Sequence, residues 1–442
     1  MCAIFGVWNV KNAAGITALG LHNNQHRAID YAGIASFDSN GFHLHHGKGI
    51  ARQVFTQEVL HRLPGESALG HIRYPTVADN NTFINTQPVV GRYGGVPFAL
   101  AHNGNITNAD DLRRGINPAR MTTSIDSECI VRMLEDVCTG DIERDIVTVF
   151  ERLEGSVTIA ILMPDRLIAV KDRSGNRPLS ISKFNGGYCI SSETCAFAGV
   201  GSHSEHVSVP AGTMVSLSSK GMIQMNFAEP KHSWCRFEGL YFSHPGSTVF
   251  EESVSGFRQK LGRALHKHCP VRGALDIITP VPDSSTHTAI GFSRDSTALF
   301  YPVITRSHYV GRTFIMATQA LRDLEMLQKF TFDAAAIKGK HIAVVDDSIM
   351  RGTTLPMIVP LLSALGALSV HVRIACPPIK HSCRYGIHTP TNKELISSSK
   401  NPDEMCKMVG ANSLEFLPYE ALRDLSATPN NFCYACMNGE YW

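Results

Sequence analysis

One stretch narrows the possible folds of this chain more than any other: Val344-Val345-Asp346-Asp347-Ser348-Ile349-Met350-Arg351-Gly352-Thr353-Thr354. The run from His341 to Val345 is almost entirely apolar, as a strand buried on both faces of a parallel sheet requires. After it, Leu355, Ile358, Val359, Leu362 and Leu365 recur at helical spacing, and Gly366 ends the helix. The unit is a strand, a polar loop and a helix, and in open parallel sheets ligands bind at such loops. Asp346 and Asp347 can accept hydrogen bonds from vicinal hydroxyls. Ser348, Gly352, Thr353 and Thr354 offer amides and hydroxyls to a phosphate beside the positive end of the helix. A helix-capping Asp-Ser turn would account for Asp347 and Ser348 but not for the rest of the set.

A chain of 442 residues is too long for one ordinary core and is expected to form two domains of about 200 residues each. The second half keeps the style of its central unit. Leu275 to Thr279 is another apolar strand among helical patterns, which gives an α/β domain with a mainly parallel sheet over 231–425 and a tail over 426–442. The first half differs. Short β-rich runs, among them Cys2 to Val7, Ala68 to Arg73, Phe98 to His102, Val157 to Met163 and Arg166 to Val170, alternate with few helices, Ile16 to Gln25 and Ser127 to Val137. That pattern suits layered sheets flanked by helices, and the Pro210-Ala211-Gly212 turn with polar Glu229 to Ser233 puts the boundary near residue 230.

With 43% hydrophobic and 18% charged residues the chain has the balance of a globular protein. No apolar run approaches the ~20 residues that span a bilayer, and the N-terminus lacks the pattern of a secretory signal. A formal charge of +2 supplies no field for nucleic acid or membrane. A cytoplasmic protein without nucleic-acid or membrane partners is expected, with any anion site built locally.

Cys2 follows the initiator Met1, and so small a residue allows the methionine to be removed, leaving a thiol and an α-amine on one residue. Their ordinary pKa values of roughly 8.5 and 8 let the amine serve as base for the thiol. Met1-Cys2-Ala3-Ile4-Phe5-Gly6 is followed by Gln25-His26-Arg27, then His71-Ile72-Arg73-Tyr74-Pro75-Thr76, Ala101-His102-Asn103-Gly104-Asn105 and Asp126-Ser127-Glu128. An amino-acid zwitterion needs one fixed cation and one fixed anion, and an amide carbonyl needs preorganised donors where negative charge develops. Read singly, Arg73 would pass for a surface ion-pair partner and Asn103-Gly104 for a hairpin turn. The series in this order resembles the N-terminal-nucleophile glutaminase domain. The resemblance implies a four-layer αββα domain over 2–230 with Cys2 as nucleophile and Asn103 and Gly104 as oxyanion hole. It also implies that Arg73, Thr76 and Asp126 bind glutamine, Arg73 through the carboxylate and Asp126 through the α-amino group.

The stretch around Asp346 resembles the binding signature of type I phosphoribosyltransferases. Thr279-Pro280-Val281-Pro282-Asp283-Ser284 resembles their pyrophosphate-side loop, and Tyr309-Val310-Gly311-Arg312-Thr313-Phe314-Ile315 a segment of the purine-pathway amidotransferases. The resemblance implies that phosphoribosyl pyrophosphate binds at Arg306, Arg322, Lys329, Asp346, Asp347, Ser348, Arg351, Gly352, Thr353 and Thr354, with Mg²⁺ at Ser284, Asp346 and Asp347. A hard, oxygen-liking cation suits a pyrophosphate leaving group, whose charge it neutralises as the bond to ribose breaks. With Asp172-Arg173-Ser174-Gly175-Asn176-Arg177-Pro178-Leu179 and Ser192-Glu193 between the two sites, the motifs span nearly the whole chain in the order of the amidophosphoribosyltransferase family. Membership implies transfer of glutamine-derived ammonia to phosphoribosyl pyrophosphate, giving 5-phosphoribosylamine, glutamate and pyrophosphate in the first committed step of purine synthesis. It further implies a homo-oligomer, dimer or tetramer, with purine nucleotides as feedback inhibitors.

Twelve cysteines in such a chain are expected to pack, react or bind metal rather than to pair. Cys129, Cys138, Cys189, Cys195, Cys269, Cys376 and Cys406 lie among apolar or helical neighbours and need no special role. Cys433-Tyr434-Ala435-Cys436 has a metal-binding spacing, which alone leaves zinc, redox chemistry or nothing open. Cys235, in Cys235-Arg236-Phe237-Glu238, and Cys383, in Ser382-Cys383-Arg384-Tyr385-Gly386-Ile387, match the other two ligand positions of the iron–sulfur members of the family. Four thiolates suit a 4Fe-4S cluster and also structural zinc. The resemblance implies the cluster, in a structural role that ties the domain junction to the tail.

Two segments depart from the family pattern. The family usually has Gln-His-Arg-Gly-Gln where this chain has Gln25-His26-Arg27-Ala28-Ile29, and an alanine is strained wherever the glycine has positive φ. The family's basic mobile loop corresponds to 317–330, where Arg322 and Lys329 are balanced by Asp323 and Glu325, and Leu321, Leu324 and Leu327 are spaced like a helix face. That lost charge leads to the expectation of a slower or differently regulated enzyme. The alternatives are a paralogue that binds phosphoribosyl pyrophosphate as a regulator and one that aminates a related sugar phosphate.

Overall fold

The computed structural model describes residues 1–74, 83–307 and 329–442. Thr76, Arg322, the Tyr309 to Ile315 motif and the leucines of the 317–330 segment lie outside the described residues.

The first half builds two antiparallel sheets. One runs His206–Ser208, Ser180–Phe184, Gly187–Ser191, Ala3–Trp8, Ser67–Arg73, Tyr31–Asp38, Gly41–Lys48; the other runs Gly221–Asn226, Thr213–Ser218, Arg166–Lys171, Gly155–Met163, Val96–Ile106, Val89–Tyr93. Their inner faces meet in one buried cluster, Ile4, Ala35 and Leu69 against Ala99, Ala101, Ala160, Leu162 and Ala169. The helix Ala13–Asn23 packs on the outer face of the first sheet with Phe5, Ile34 and Ile72. The helices Ser127–Val137 and Ile142–Phe150 cover the outer face of the second. Helix, sheet, sheet and helix layers result, and both faces of each sheet are apolar, which is why strands such as Ala3–Trp8 are buried throughout instead of alternating. Gly20 permits the close approach of the first helix, since a Cβ there would sit 2.4 Å from the Phe5 ring.

The second half contains a five-stranded parallel sheet in the order Leu299–Phe300, Ile277–Pro280, His341–Asp346, Ser369–Ile374, Ser413–Phe416. Alternate residues of its central strand serve opposite cores. Ala343 and Val345 pack with Phe257, Leu261 and Phe292 of the helices Val254–His268 and Thr286–Ser293. Ile342 and Val344 pack with Leu355, Ile358 and Met405 of the helices Leu355–Ala364 and Pro402–Val409.

The backbone decides two points that the sequence left open. Ala28 is unstrained: among the described residues, positive φ outside glycine occurs at Asn9, Asn12, Asn185, Phe250 and Glu251. Ala28 is instead buried, with its carbonyl accepting from Gln25 Nε2. Asn103 and Gly104 form no hairpin turn; they lie inside the strand Val96–Ile106, paired with Thr158 and Val157.

The two halves are fastened at a buried charge cluster. Arg27, Arg177 and Glu193 from the first meet Glu238 from the second, and all four side chains are fully buried. Burial alone would raise the Glu193 carboxyl, but His26 and Arg27 pull it far below the usual carboxylate range.

Candidate active site

Cys2 precedes the strand Ala3–Trp8, and the pairing of Ala3 with Ile72 sets it beside Arg73. Its carbonyl accepts a hydrogen bond from Arg27 Nε at 2.9 Å, and its Sγ lies 4.0 Å from the Tyr74 carbonyl oxygen. Met1 is wholly buried; its amine donates to the Arg27 carbonyl at 3.1 Å, and burial pushes that amine down to about 5. Gly104 has φ +152, and a Cβ there would lie 1.9 Å from the Ser156 carbonyl oxygen, so glycine alone fits. Among the described residues the Asn103 Nδ2 is buried without a hydrogen-bond partner. An unpaired donor costs about 1–3 kcal/mol, which an acceptor brought by a ligand would recover. Asp126 caps the helix Ser127–Val137 by accepting from Ser127 N at 2.8 Å, and its other oxygen accepts from Ile106 N at 2.8 Å, tying the helix start to the end of the Asn103-Gly104 strand. Arg73 is buried on its strand.

The second group of residues surrounds a cavity of about 990 Å³. Ser284, Arg306, Asp346, Asp347, Ser348, Arg351, Gly352, Thr353 and Thr354 all line it. Lys329 flanks the lining residue Phe330, and its carbonyl accepts from Ser307 N at 2.8 Å. Asp346 Oδ1 accepts from Ser285 Oγ at 3.0 Å and from Asp347 N at 2.9 Å, while Asp347 accepts from Ser348 Oγ at 2.7 Å and from Ser284 Oγ. Burial raises both carboxyls, and the Asp347 charge raises Asp346 further. Two adjacent buried carboxylates flanked by the Ser284 and Ser285 hydroxyls are oxygen donors of the kind that could hold a hard divalent cation. Arg306 and Arg351 stand at the rim in exposed ion pairs with Asp283 and Glu394, each at 3.2 Å.

The cavity also takes in residues of the first half. His26, Arg27 and Tyr74 share it with the Asp346–Asp347 loop. Sequence reasoning missed Ser285 and Arg258. Ser285 was concealed as the neighbour of a residue already chosen. Arg258, fully buried and also lining the cavity, donates to the carbonyls of Gly239, Tyr241 and Ser243. Its signal was available: it is a cation among the core positions Val254, Phe257 and Leu261 of an amphipathic helix.

Cys235 and Cys433 face each other across the short parallel pair Trp234–Cys235 with Phe432–Cys433. Together with Cys383 and Cys436 they line one small cavity, whose walls include Phe237, Met350 and Ile387, residues that also line the large one. Burial pushes the Cys235 thiol up to about 12 and raises Cys433 and Cys436. Among the described residues no three His, Cys, Asp or Glu side chains are drawn close enough to hold a single metal ion. The four thiols share one cavity, and as a donor set they fit a structural zinc and a 4Fe-4S cluster alike.

A family model described as a glutamine amidotransferase domain matches residues 77–199. The chain is 38% identical to the chloroplastic amidophosphoribosyltransferase of Glycine max, covering 100% of this chain and 78% of that one. It is 36% identical to the amidophosphoribosyltransferase of Bacillus subtilis, covering 100% and 94%. The solved structure of the B. subtilis glutamine phosphoribosylpyrophosphate amidotransferase complexed with ADP and GMP superposes with a TM-score of 0.92 at 36% identity, over 100% of this chain and 97% of that one.

Proposed function

The chain belongs to the amidophosphoribosyltransferase family, and from that membership we propose that it moves ammonia from glutamine onto phosphoribosyl pyrophosphate, yielding 5-phosphoribosylamine, glutamate and pyrophosphate for purine synthesis. One observation carries the reading beyond kinship. Arg27, which holds the Cys2 carbonyl, and Tyr74, whose carbonyl faces the Cys2 thiol, line the same cavity as Asp346, Asp347 and the loop to Thr354. Residues that touch the nucleophile and residues that would hold the acceptor thus share one cavity.

In this reading Arg73 and Asp126, with Thr76, hold the glutamine zwitterion, and Cys2 attacks the side-chain amide once Met1 is gone. The Cys2 α-amine takes the thiol proton and returns it to the departing ammonia. Asn103 Nδ2, unpaired in the interior, and the Gly104 amide receive the oxyanion. On the other side Asp346 and Asp347 accept from the ribose hydroxyls, while Ser348 and 352–354 hold the 5-phosphate at the start of the helix Leu355–Ala364. Arg306, Arg322 and Lys329 attract the pyrophosphate, and Arg351 stands at the phosphate rim. Mg²⁺, held by Ser284, Asp346 and Asp347, would neutralise the leaving pyrophosphate. We assign a 4Fe-4S cluster to Cys235, Cys383, Cys433 and Cys436 on the strength of four thiols around one cavity, at the ligand positions of the iron–sulfur members of the family. A cytoplasmic homo-oligomer regulated by purine nucleotides completes the proposal; ADP and GMP are bound in the B. subtilis relative.

The test is a single mixture of protein, glutamine, phosphoribosyl pyrophosphate and Mg²⁺. Equal release of glutamate and pyrophosphate is expected, and Cys2→Ala should lose glutamine use while keeping ammonia use. Glutamate without pyrophosphate, or binding without product, would defeat the reading.

A further inference from the structure

The segment 383–388 begins in the four-thiol group and ends beside Tyr74, the neighbour of the nucleophile. In between it presses on the strand that carries Asn103 and Gly104. Asn105 Nδ2 donates to the Arg384 carbonyl at 2.9 Å, and Arg177 Nη2 donates to the Tyr385 carbonyl at 2.6 Å. Gly386, at φ +104, lies so close that a Cβ on it would stand 2.5 Å from the Gly104 carbonyl oxygen, 2.7 Å from its carbonyl carbon and 3.1 Å from its Cα. Beyond it, the His388 ring is 6.0 Å from that of Tyr74, whose carbonyl faces the Cys2 thiol. The start of the segment is equally constrained. Cys383 N donates to Thr389 Oγ1 at 2.7 Å, Tyr385 N donates to Cys383 Sγ at 3.3 Å, and the Tyr385 ring stacks on Trp442 at 3.9 Å and 8°.

We propose that 383–388 is a brace between the four-thiol site and the oxyanion strand. Backbone rests on backbone at Gly386 and Gly104, so no side chain can relax to absorb a displacement. A shift of Cys383 then passes to the Gly104 carbonyl and Cα, one bond from the Gly104 amide that receives the oxyanion, where an error of about 1 Å costs on the order of 100-fold in rate. Gly386 and Asn105 are positioning residues for the glutamine half-reaction, and the metal group held through Cys383 tunes that half-reaction while leaving ammonia use alone. The inference rests on the function proposed above, and its tests separate from that proposal.

In Gly386→Ala, glutamine-dependent product formation should fall roughly 30- to 100-fold through kcat, with ammonia-dependent formation within about twofold of the parent and the visible absorption of the metal group retained. Alkylation of Cys2 by a glutamine-like chloroketone should slow by a similar factor, while alkylation by iodoacetamide stays unchanged. Should Gly386→Ala not accumulate in folded form, Asn105→Ala adds no atom and should show the same split at several-fold. Cys383→Ser should lose visible absorption and iron together with glutamine use, and keep ammonia use. Parent-like chloroketone alkylation in the tested variant, or equal losses with glutamine and ammonia, overturns the brace. Parent-like glutamine use in a Cys383→Ser protein stripped of iron overturns its link to the metal group, as does a parent protein without iron. A parent that aminates phosphoribosyl pyrophosphate with neither nitrogen source defeats the functional proposal instead.

Discussion

Replacing Glu238 by Gln should loosen the junction between the two halves, at a cost that follows from its partners. Its carboxylate accepts from Arg27 Nη1 at 2.9 Å and Nη2 at 2.8 Å, from Arg177 Nη1 at 3.3 Å and from Ser243 Oγ at 3.3 Å. Glu193 neutralises the second arginine charge, accepting from Arg27 Nη1 at 2.5 Å, from the His244 amide at 2.7 Å and from Ser247 Oγ at 2.8 Å. The amide keeps the shape but leaves one guanidinium charge unbalanced in the interior and turns an NH₂ toward it. Breaking one side of a buried pair costs about 3–5 kcal/mol. Urea unfolding followed by tryptophan fluorescence measures it, because Trp234 is stacked on Phe250 at this junction, with ring centroids 5.6 Å apart. Adding Arg177→Met to the variant removes the surplus charge and should recover part of the loss, a coupling that a double-mutant cycle isolates. The pH dependence has a definite sign. Burial would raise the Glu238 carboxyl, but Arg27 outweighs it and holds the folded pKa below the ordinary 4.5. The stabilisation is therefore complete above pH 4.5 and is lost as pH falls through the folded value, so parent and variant converge in acid. A variant within about 1 kcal/mol of the parent at pH 7, or a gap that persists unchanged in acid, refutes the reasoning.

Two other outcomes are expected. Asp346→Asn removes a charge that burial and Asp347 both disfavour, so without Mg²⁺ it should raise the melting temperature at neutral pH, where the parent's raised carboxyl costs stability. The variant should also lose the Mg²⁺-dependent stabilisation seen with phosphoribosyl pyrophosphate; an unchanged Mg²⁺ increment in calorimetry would count against the assigned cation site. In protein that retains Met1, verified by mass spectrometry, the amine goes from 8.0 unfolded to about 5 folded, so stability is full above pH 8 and falls by up to about 4 kcal/mol toward pH 5. Processed protein should lack that slope, and parallel pH profiles of the two forms would remove the case for burial of the Met1 amine.

What could be read from sequence was what the chain encodes contiguously. The strand His341–Asp346, its carboxylates and the following helix fall within one local unit, so apolar runs, polar punctuation and helical spacing locate the loop without knowledge of any distant contact. The layered first half was legible for the same reason, through short β-rich runs with few helices between them. Whether Ala28 is strained could not be read from the family's glycine, because a backbone angle belongs to the chain at hand. The contacts that join the two sites were hidden for a different reason. Asn105 and Arg384 are 279 positions apart, and no periodicity records which loop will rest on which strand. Gly386 shows how such information is lost. A positive φ already accounts for a glycine in the turn, so the residue type cannot also report that a Cβ there would strike the backbone of Gly104. Two independent physical demands produce one letter in the sequence, and only the packed structure separates them.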